Sequence, residues 1–294
     1  MPTAVLLAAA GSGTRLGAGM PKALAPLSDG RTLLEHGLET VAQVPDVDVV
    51  VVLVPPADQP RAEVTAIVEE CALRLGFTAS CVPGGAERAD SVAAGLAEVA
   101  RRLGAAPASA TPAPGVASAA PALGVASATP APDVASAAAS SSRHDDGTHC
   151  RHDPHLVLVH DAARPFTPPA VFAAVVAGLA SAKAVIPAVP VTDTVKQVSV
   201  DANGAETVVG TPSRAMLRAV QTPQGFDLYA LLAAHDQVRR DPELDAAALT
   251  DDAMVMEAAG HVVRVVPGHA DAFKITTPAD LEQAAALIAR RSLS

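Results

Sequence analysis

The chain has 294 residues and is 50% hydrophobic but only 2% aromatic, a composition that favours helices packed on a valine-rich sheet over a β-sandwich. Its 21 basic and 31 acidic residues give a net charge of −10, which argues against non-specific nucleic-acid binding because such binding needs a basic face. No apolar stretch approaches the length of a membrane span without an interrupting proline, and three cysteines do not suggest a disulfide framework. We therefore expect a cytoplasmic protein that binds neither nucleic acid nor membranes.

Predicted strands and helices alternate along the chain. Apolar runs predict strands over 4–8, 49–54, 79–82, 156–160, 184–190 and 262–266, and helical patterns cover 32–42, 61–76, 90–103 and 169–181. A last helix begins at Thr277, which can cap it. Pro278 suits its first position, and Asp280 can reach back to the cap. This order predicts an α/β fold: a Rossmann-like, mostly parallel sheet with helices on both faces. Its ligands should bind outside the carboxyl ends of the strands.

Residues 104–155 form a low-complexity insertion rich in Ala, Pro and Ser, within a single domain that we expect to span 1–294. Val-Ala-Ser-Ala recurs there with a period of nine, beginning at Val116, Val125 and Val134. The insertion has too little apolar surface to offset the conformational entropy that its residues would lose on folding. We therefore predict that it is disordered.

A cluster of possible zinc ligands ends this insertion. Its members are His144, His149, Cys150, His152 and His155. Their spacing matches no closed tetrahedral pattern, so we interpret the cluster as a polar linker, with weak metal binding as the alternative.

A glycine-rich loop follows the first predicted strand. It contains Gly11, Gly13 and Arg15, and Lys22 follows it. Backbone N–H groups of such loops bind phosphates. The pattern is not a dinucleotide fingerprint, which needs a glycine at position 16 where this chain has leucine, and it is not a Walker A loop. We expect Arg15 and Lys22 to bind a polyphosphate and to neutralise charge in nucleotidyl transfer. The alternative is an ordinary strand–turn–helix with solvated charges.

Asp161 lies where the strand predicted over 156–160 ends. A carboxylate at that position can hold a Mg²⁺ ion that bridges nucleotide phosphates. A structural pair between Asp161 and Arg164 is the alternative, and the two roles are compatible. We expect His160 to be packed or hydrogen-bonded rather than catalytic, since transfer to an already anionic phosphate needs no strong base.

Residues 197–209 alternate valine with polar residues around Asn203-Gly204, which is the pattern of a β-hairpin.

Six motifs follow one another along the chain. They are GSGTRLG with PK at 21–22, PGGAERADSV at 83–92, VHDAARPF at 159–166, PVTDTVK at 190–196, QTPQGF at 221–226 and FKITTPADL at 273–281. Together they resemble the 2-C-methyl-D-erythritol 4-phosphate cytidylyltransferase family of the sugar-nucleotidyltransferase superfamily, over nearly everything except the insertion. The resemblance implies Mg²⁺-dependent transfer of CMP from CTP to 2-C-methyl-D-erythritol 4-phosphate. The products are 4-diphosphocytidyl-2-C-methyl-D-erythritol, an intermediate of non-mevalonate isoprenoid biosynthesis, and pyrophosphate.

The resemblance also implies roles for individual residues. The catalytic residues would be Arg15, Lys22, Arg214 and Lys274. The nucleotide would be bound by Ala9, Ala10, Gly11, Gly13, Gly85, Ser91 and Asp161. The acceptor would be bound by Arg164, Thr194, Arg214, Thr222, Thr250 and Thr276. The metal ligands would be Asp161 and Asp271. Without the resemblance, Arg88 to Ser91 is simply a helix start capped by Asp90 or Ser91.

In the family, the arginine that corresponds to Arg214 comes from a neighbouring subunit on an extended arm. The resemblance therefore implies a homodimer formed through a β-arm at 195–222, and an ordinary surface hairpin is the alternative. Two departures from the family pattern are Ala86, where many members have an acidic residue, and Phe273, where others often have asparagine.

Two other functions stay open. The same chemistry could act on another polyol phosphate, such as ribitol 5-phosphate. A non-catalytic nucleotide-binding scaffold could use the insertion as an interaction arm, although the presence of Arg15, Lys22, Asp161 and Lys274 counts against it.

Overall fold

The computed structural model describes residues 1–11, 13, 16, 19–85, 87–105, 155–241, 243–244 and 248–293. Contacts divide the chain into one unit of Met1–Pro107 with Pro154–Ser294 and another of Ala108–Asp153. The second unit lies outside the described residues, and so do the predictions for Arg15, for Ala86 and for the histidine and cysteine cluster up to His152. The disordered insertion therefore stays a prediction.

Strands and helices alternate through the described residues, much as the apolar pattern predicts. The strands are β1 (Thr3–Ala8), β2 (Val49–Val54), β3 (Ala79–Pro83), β4 (Leu156–Asp161), β5 (Ala184–Pro190), β6 (Gln197–Val200), β7 (Glu206–Gly210), β8 (Arg218–Val220), β9 (Gln224–Asp227) and β10 (Val263–Pro267). The helices are α1 (Leu33–Ala42), α2 (Asp58–Leu75), α3 (Arg88–Arg102), α4 (Pro169–Leu179), α5 (Leu228–Arg240), α6 (Asp252–Ala258) and α7 (Pro278–Arg291).

The main sheet is mostly parallel, which confirms the predicted α/β fold. Its strand order is β10-β5-β9-β4-β1-β2-β3, and β8 pairs with the end of β5. Strand β9 is antiparallel to both of its neighbours, β4 and β5. The carboxyl ends of β1, β2, β4 and β5 consequently lie at one edge of the sheet.

Two apolar layers cover the sheet, one on each face. Strand β1 contributes to both, because successive side chains of a strand point to opposite faces. Val5 and Leu7 pack in the layer that includes residues of α1, α2 and α4. Ala4 and Leu6 pack in the layer that includes residues of α3, α5 and α6. This confirms the prediction of helices on both faces.

The helix starts follow from local side-chain chemistry. The Thr277 side chain caps α7, Pro278 follows it, and Asp280 completes a capping box, as predicted. An equivalent box of Thr32 and Glu35 begins α1. Throughout the described ranges, no helix combines the length and apolar character needed to cross a membrane.

Strands β6 and β7 form the predicted hairpin outside the main sheet. Its turn is stabilised by the Asp201 carboxylate, which accepts hydrogen bonds from the backbone N–H groups of Asn203 and Ala205. Val198, Val200 and Val208 project from the same face of the hairpin, where they are 40%, 63% and 55% exposed. An apolar face of this kind is left without cover in the described chain.

Candidate active site

A cleft of about 570 Å³ opens at the carboxyl edge of β1, β2 and β4. Its walls come from the glycine-rich loop, the start of α3, the end of β4 and the segment before α7. Ten of the predicted site residues line it: Ala9, Ala10, Gly11, Gly13, Lys22, Gly85, Ser91, Asp161, Lys274 and Thr276. A cleft of this volume accommodates a nucleotide-sized ligand.

The glycine-rich loop folds back on the backbone of Lys22. The Lys22 N–H donates to the Gly11 carbonyl at 3.1 Å, and Gly13 has a φ of +72°. A Cβ atom at residue 13 would lie 3.0 Å from the Lys22 nitrogen and from the Met20 carbonyl oxygen. Glycine is therefore required there, and the turn fixes where the lysine side chain enters the cleft, 3.5 Å from the Thr276 hydroxyl.

Asp161 is an ionised carboxylate between two cations. Its Oδ2 lies 2.8 Å from Nζ of Lys274 and 3.7 Å from Nε of Arg164. Burial alone would raise the pKa of Asp161, but Lys274 and Arg164 outweigh that effect and lower this pKa below its ordinary value. The carboxylate is thus available to a cation at neutral pH.

A buried hydrogen-bonded pair lies beneath Asp161. The Asp161 N–H donates to the Thr222 hydroxyl at 3.1 Å, and that hydroxyl lies 2.9 Å from Nδ1 of His160. His160 has no exposed surface, packs against Phe172, and has its pKa lowered by burial to about 4. His160 is therefore a neutral packing residue, as predicted, and the Thr222 side chain is buried under the cleft rather than lining it.

Arg164 bridges three segments of the chain. Its Nη1 donates to the Ala272 carbonyl at 2.6 Å and its Nη2 to the Val220 carbonyl at 3.3 Å. Together with its position beside Asp161, these contacts match the structural alternative for Arg164. They tie the end of β4 to the segment that carries Lys274.

The loop before α3 is tightly packed around Ser91. The Gly85 N–H donates to the Ser91 hydroxyl at 2.9 Å, and that hydroxyl donates to the Glu87 carbonyl at 3.0 Å. A side chain at residue 85 would overlap Asp90. The alternative interpretation, a helix start capped by Asp90 or Ser91, is wrong about the cap. The N-cap of α3 is Glu87, whose N–H donates to the Asp90 carboxylate at 3.4 Å.

The structure does not bring the other described residues of the predicted site into the cleft. Among the described residues, those outside its walls are Arg164, Thr194, Arg214, Thr222, Thr250 and Asp271. Arg214 donates to the Thr192 carbonyl at 2.9 Å, and Asp271 lies 3.6 Å from Nη2 of Arg291. Asp271 thus faces a cation rather than Asp161. The nucleotide half of the predicted site is assembled in this chain, whereas much of the acceptor half is not.

One feature of the cleft has no counterpart among the predicted site residues. Arg88 lines the cleft and pairs with Asp252, a residue with no exposed surface. Arg88 belongs to the PGGAERADSV motif, but nothing in the sequence indicates that its side chain meets that of Asp252, which lies 164 positions further along the chain.

Comparison with known proteins gives consistent matches. The family model for 2-C-methyl-D-erythritol 4-phosphate cytidylyltransferase matches residues 3–104 and 147–290. The protein of that name from Streptomyces avermitilis is 39% identical over 295 residues, covering 99% of this chain and 94% of that protein. Its counterpart in Corynebacterium glutamicum strain R is 39% identical over 285 residues, covering 96% and 90%.

Solved structures match over the same extent. The crystal structure of 2-C-methyl-D-erythritol 4-phosphate cytidylyltransferase from Thermus thermophilus has a TM-score of 0.58 and 30% identity, covering 98% of each chain. The structure of 4-diphosphocytidyl-2C-methyl-D-erythritol synthase from Anaerococcus prevotii has a TM-score of 0.63, 24% identity and the same coverage, and supports the fold alone.

Proposed function

Because this chain belongs to the 2-C-methyl-D-erythritol 4-phosphate cytidylyltransferase family, we propose that its cleft binds CTP and Mg²⁺ and that a second copy of the chain completes the acceptor site. The chain is a cytidylyltransferase of isoprenoid biosynthesis, acting on 2-C-methyl-D-erythritol 4-phosphate. The observation that carries the proposal is the convergence of the glycine-rich loop, Lys22, Asp161 and Lys274 on one cleft.

The reaction joins two anions. A phosphate oxygen of the acceptor attacks the α-phosphorus of CTP and forms a new P–O bond. The bond from the α-phosphorus to the oxygen that bridges it to the β-phosphorus breaks, and its electron pair leaves on that bridging oxygen as part of pyrophosphate. Charge neutralisation and alignment therefore supply most of the catalysis. In the proposal, Lys22 and Arg15 stabilise charge on the phosphates, and Lys274 with Arg214 positions the acceptor phosphate.

The donor set at Asp161 fits Mg²⁺. This ion is commonly bound by one or two carboxylates together with substrate phosphates and water, and Asp161 presents one ionised carboxylate to the cleft. No group of three His, Cys, Asp or Glu side chains gathers elsewhere in the described part of the chain to form a metal cage. When bound, Mg²⁺ would reduce the negative charge of the triphosphate. Asp161 is the ligand that we propose, since it lines the cleft and Asp271 does not.

The exposed face of the hairpin supports a homodimer. A two-stranded ribbon is only marginally stable alone, and the ribbon exposes Val198, Val200 and Val208 on one face. A second copy that covers this face would also carry Arg214 and Thr194 to a neighbouring cleft, where Lys274 lies. That arrangement explains why these two acceptor residues lie outside the cleft of their own chain. We also propose a cytoplasmic location, consistent with the free thiols Cys71 and Cys81.

Pyrophosphate release from CTP and Mg²⁺ tests the acceptor assignment. We expect release with 2-C-methyl-D-erythritol 4-phosphate and none with ribitol 5-phosphate, each offered separately. Release with ribitol 5-phosphate alone would keep the mechanism and change the acceptor. No release with either acceptor would favour the non-catalytic scaffold.

A further inference from the structure

Arg88 is a cation of the cleft that is anchored to a buried carboxylate. Its Nη2 lies 2.7 Å from Oδ2 of Asp252, whose side chain has no exposed surface. The other carboxylate oxygen, Oδ1, accepts from Nε2 of the buried His235 at 3.1 Å. Burial opposes ionisation of Asp252, but His235 and Arg88 outweigh it and lower the pKa of this carboxyl.

The Arg88 side chain still faces solvent in the cleft, where it is 38% exposed. Among the described residues, Nη2 is its one guanidinium nitrogen with a hydrogen-bond partner. The remaining N–H donors of Arg88 are therefore available to a ligand. An arginine fixed at one nitrogen binds a second anion with less loss of side-chain entropy than a mobile one.

Asp252, the carboxylate that holds Arg88, is linked by hydrogen bonds to the sheet edge that carries Asp161. Asp252 is the first residue of α6, and the preceding Asp251 accepts from the Met254 N–H as its N-cap. Gln224 of β9 donates to Asp251 at 2.7 Å and accepts from the Ala253 N–H at 3.2 Å. Because β9 pairs with β4, the position of Arg88 is set relative to the strand that ends in Asp161.

We propose that Arg88 binds phosphate oxygens of the nucleotide and that Asp252, held by His235, is the residue that positions it; this rests on the proposed nucleotide site. Phosphates are the expected ligand because a guanidinium matches their geometry. The negative charge of Asp161, the carboxylate assigned to the metal and phosphates, also contributes to raising the pKa of Arg88.

Four variants test the proposal: Arg88→Gln, Arg88→Lys, Asp252→Asn and the double variant Arg88→Gln/Asp252→Asn. For Arg88→Gln we expect the KM for CTP to rise at least about tenfold, the loss of one charge-assisted hydrogen bond, with the acceptor KM nearly unchanged. Arg88→Lys should recover part of this loss. Inhibition by cytidine, which has no phosphate, should be the same in Arg88→Gln as in the wild type.

The double variant distinguishes a role of Arg88 in binding the nucleotide from a role in stabilising the fold. Arg88→Gln alone leaves a buried carboxylate without its cation, so its melting temperature should fall. Removing both charges should restore much of that melting temperature and leave the KM for CTP high. Asp252→Asn should raise the KM for CTP although Arg88 is intact. If the double variant recovers wild-type KM values along with its stability, Arg88 has only a structural role.

Calorimetric titration with CTP provides a readout that does not depend on turnover. An unchanged CTP affinity in Arg88→Gln, with an active wild-type enzyme, would overturn this inference and leave the proposed function intact. Equal weakening of CTP and cytidine would overturn the assignment to phosphate. Failure of the wild-type enzyme to release pyrophosphate with any acceptor would instead reject the proposed function.

Discussion

The ammonium of Lys274 lies 2.8 Å from the carboxylate of Asp161, and both side chains line the cleft. The segment that carries Lys274 is fastened to the end of β4 through Arg164 and through the Ile275 N–H, which donates to the Ala163 carbonyl at 2.9 Å. The two charges are thus held together by the backbone as well as by their attraction. In the proposed function, this pair offers a cation to the acceptor phosphate and an anion to Mg²⁺ at the same point of the cleft.

We expect Lys274→Ala to lower kcat/KM for the acceptor by about 10²-fold, the usual cost of removing a positioned charge that stabilises a reacting group. Steady-state rates of pyrophosphate release would measure this. Lys183→Ala is the matched control, because Lys183 is exposed and lies next to the opposite end of β5. Equal rates for Lys274→Ala and the control would contradict the role of Lys274.

Gly13→Ala should impair the cleft as well as the fold. The left-handed backbone at φ +72° costs alanine about 1–2 kcal/mol, and the new Cβ would also press on the backbone of Lys22. Gly30→Ala is the control, since Gly30 has a φ of +83° and a Cβ atom added there would meet open space. Both variants should lose similar free energy of unfolding from backbone strain, but only Gly13→Ala should lower kcat. A fully active Gly13→Ala enzyme would refute the link between this turn and Lys22.

His160 should make the folded protein sensitive to mild acid. Its pKa is lowered from 6.5 to about 4 by burial, so the unfolded chain binds a proton that the folded chain does not. The free energy of unfolding should therefore fall as the pH drops from about 6.5 towards 4, by up to ~3 kcal/mol from this residue. Urea unfolding of wild type and His160→Asn across this range would measure the difference. The variant should show a shallower dependence, and identical slopes would contradict this role.

Glu98 should make the free energy of unfolding depend on pH in a lower range than His160 does. Hydrogen bonds from Arg101, aided by Arg102, lower the pKa of Glu98 from 4.5 to about 2, so its stabilising effect is present above pH 4.5 and is lost as the pH falls towards 2. We expect Glu98→Gln to be less stable than the wild type at neutral pH and to approach it near pH 2. Denaturation curves at pH 7, 4.5 and 2.5 would test this. A constant stability difference across that range would contradict it.

Mixing two inactive variants tests whether Arg214 acts on the neighbouring subunit. In mixed dimers of Arg214→Ala and Lys274→Ala, one of the two sites would combine intact Arg214 and Lys274. Random pairing of the subunits should restore about a quarter of wild-type activity. The double variant Arg214→Ala/Lys274→Ala, mixed with wild type, is the control for exchange. No recovery despite proven exchange would place both residues in the same subunit's site.

The parts of the fold that the sequence predicts are those set by neighbouring residues. The valine-rich strand β2 has the predicted bounds, and the cap of α7 by Thr277 with Asp280 depends on a contact three residues away. The residues at the ends of β1 and β4 could be placed in one cleft because parallel strands bring their carboxyl ends to the same edge.

The features of the fold and the site that the sequence does not predict depend on contacts between distant residues or on weak local patterns. Strand β9 has only four residues, three of them in the QTPQGF motif, and it becomes a strand because β4 and β5 flank it. Helices α5 and α6 were not predicted from the hydrophobic pattern. The contact of Arg88 with Asp252 spans 164 positions, and no periodicity in the sequence indicates a pairing at that separation.

Strand β5 ends at the same edge of the sheet as β4, and the chain re-enters the sheet at that edge through β8 and β9. The segment between β5 and β8, residues 191–217, therefore begins and ends at this edge of the sheet and contributes no strand to the main sheet. Evolution can lengthen, shorten or replace such a segment while every pairing among β1, β2 and β4 stays intact. The segment that carries Thr194 and Arg214 is thus a separable part of the acceptor site. Acceptor preference can change through it while Lys22, Asp161 and Lys274 keep their places in the cleft.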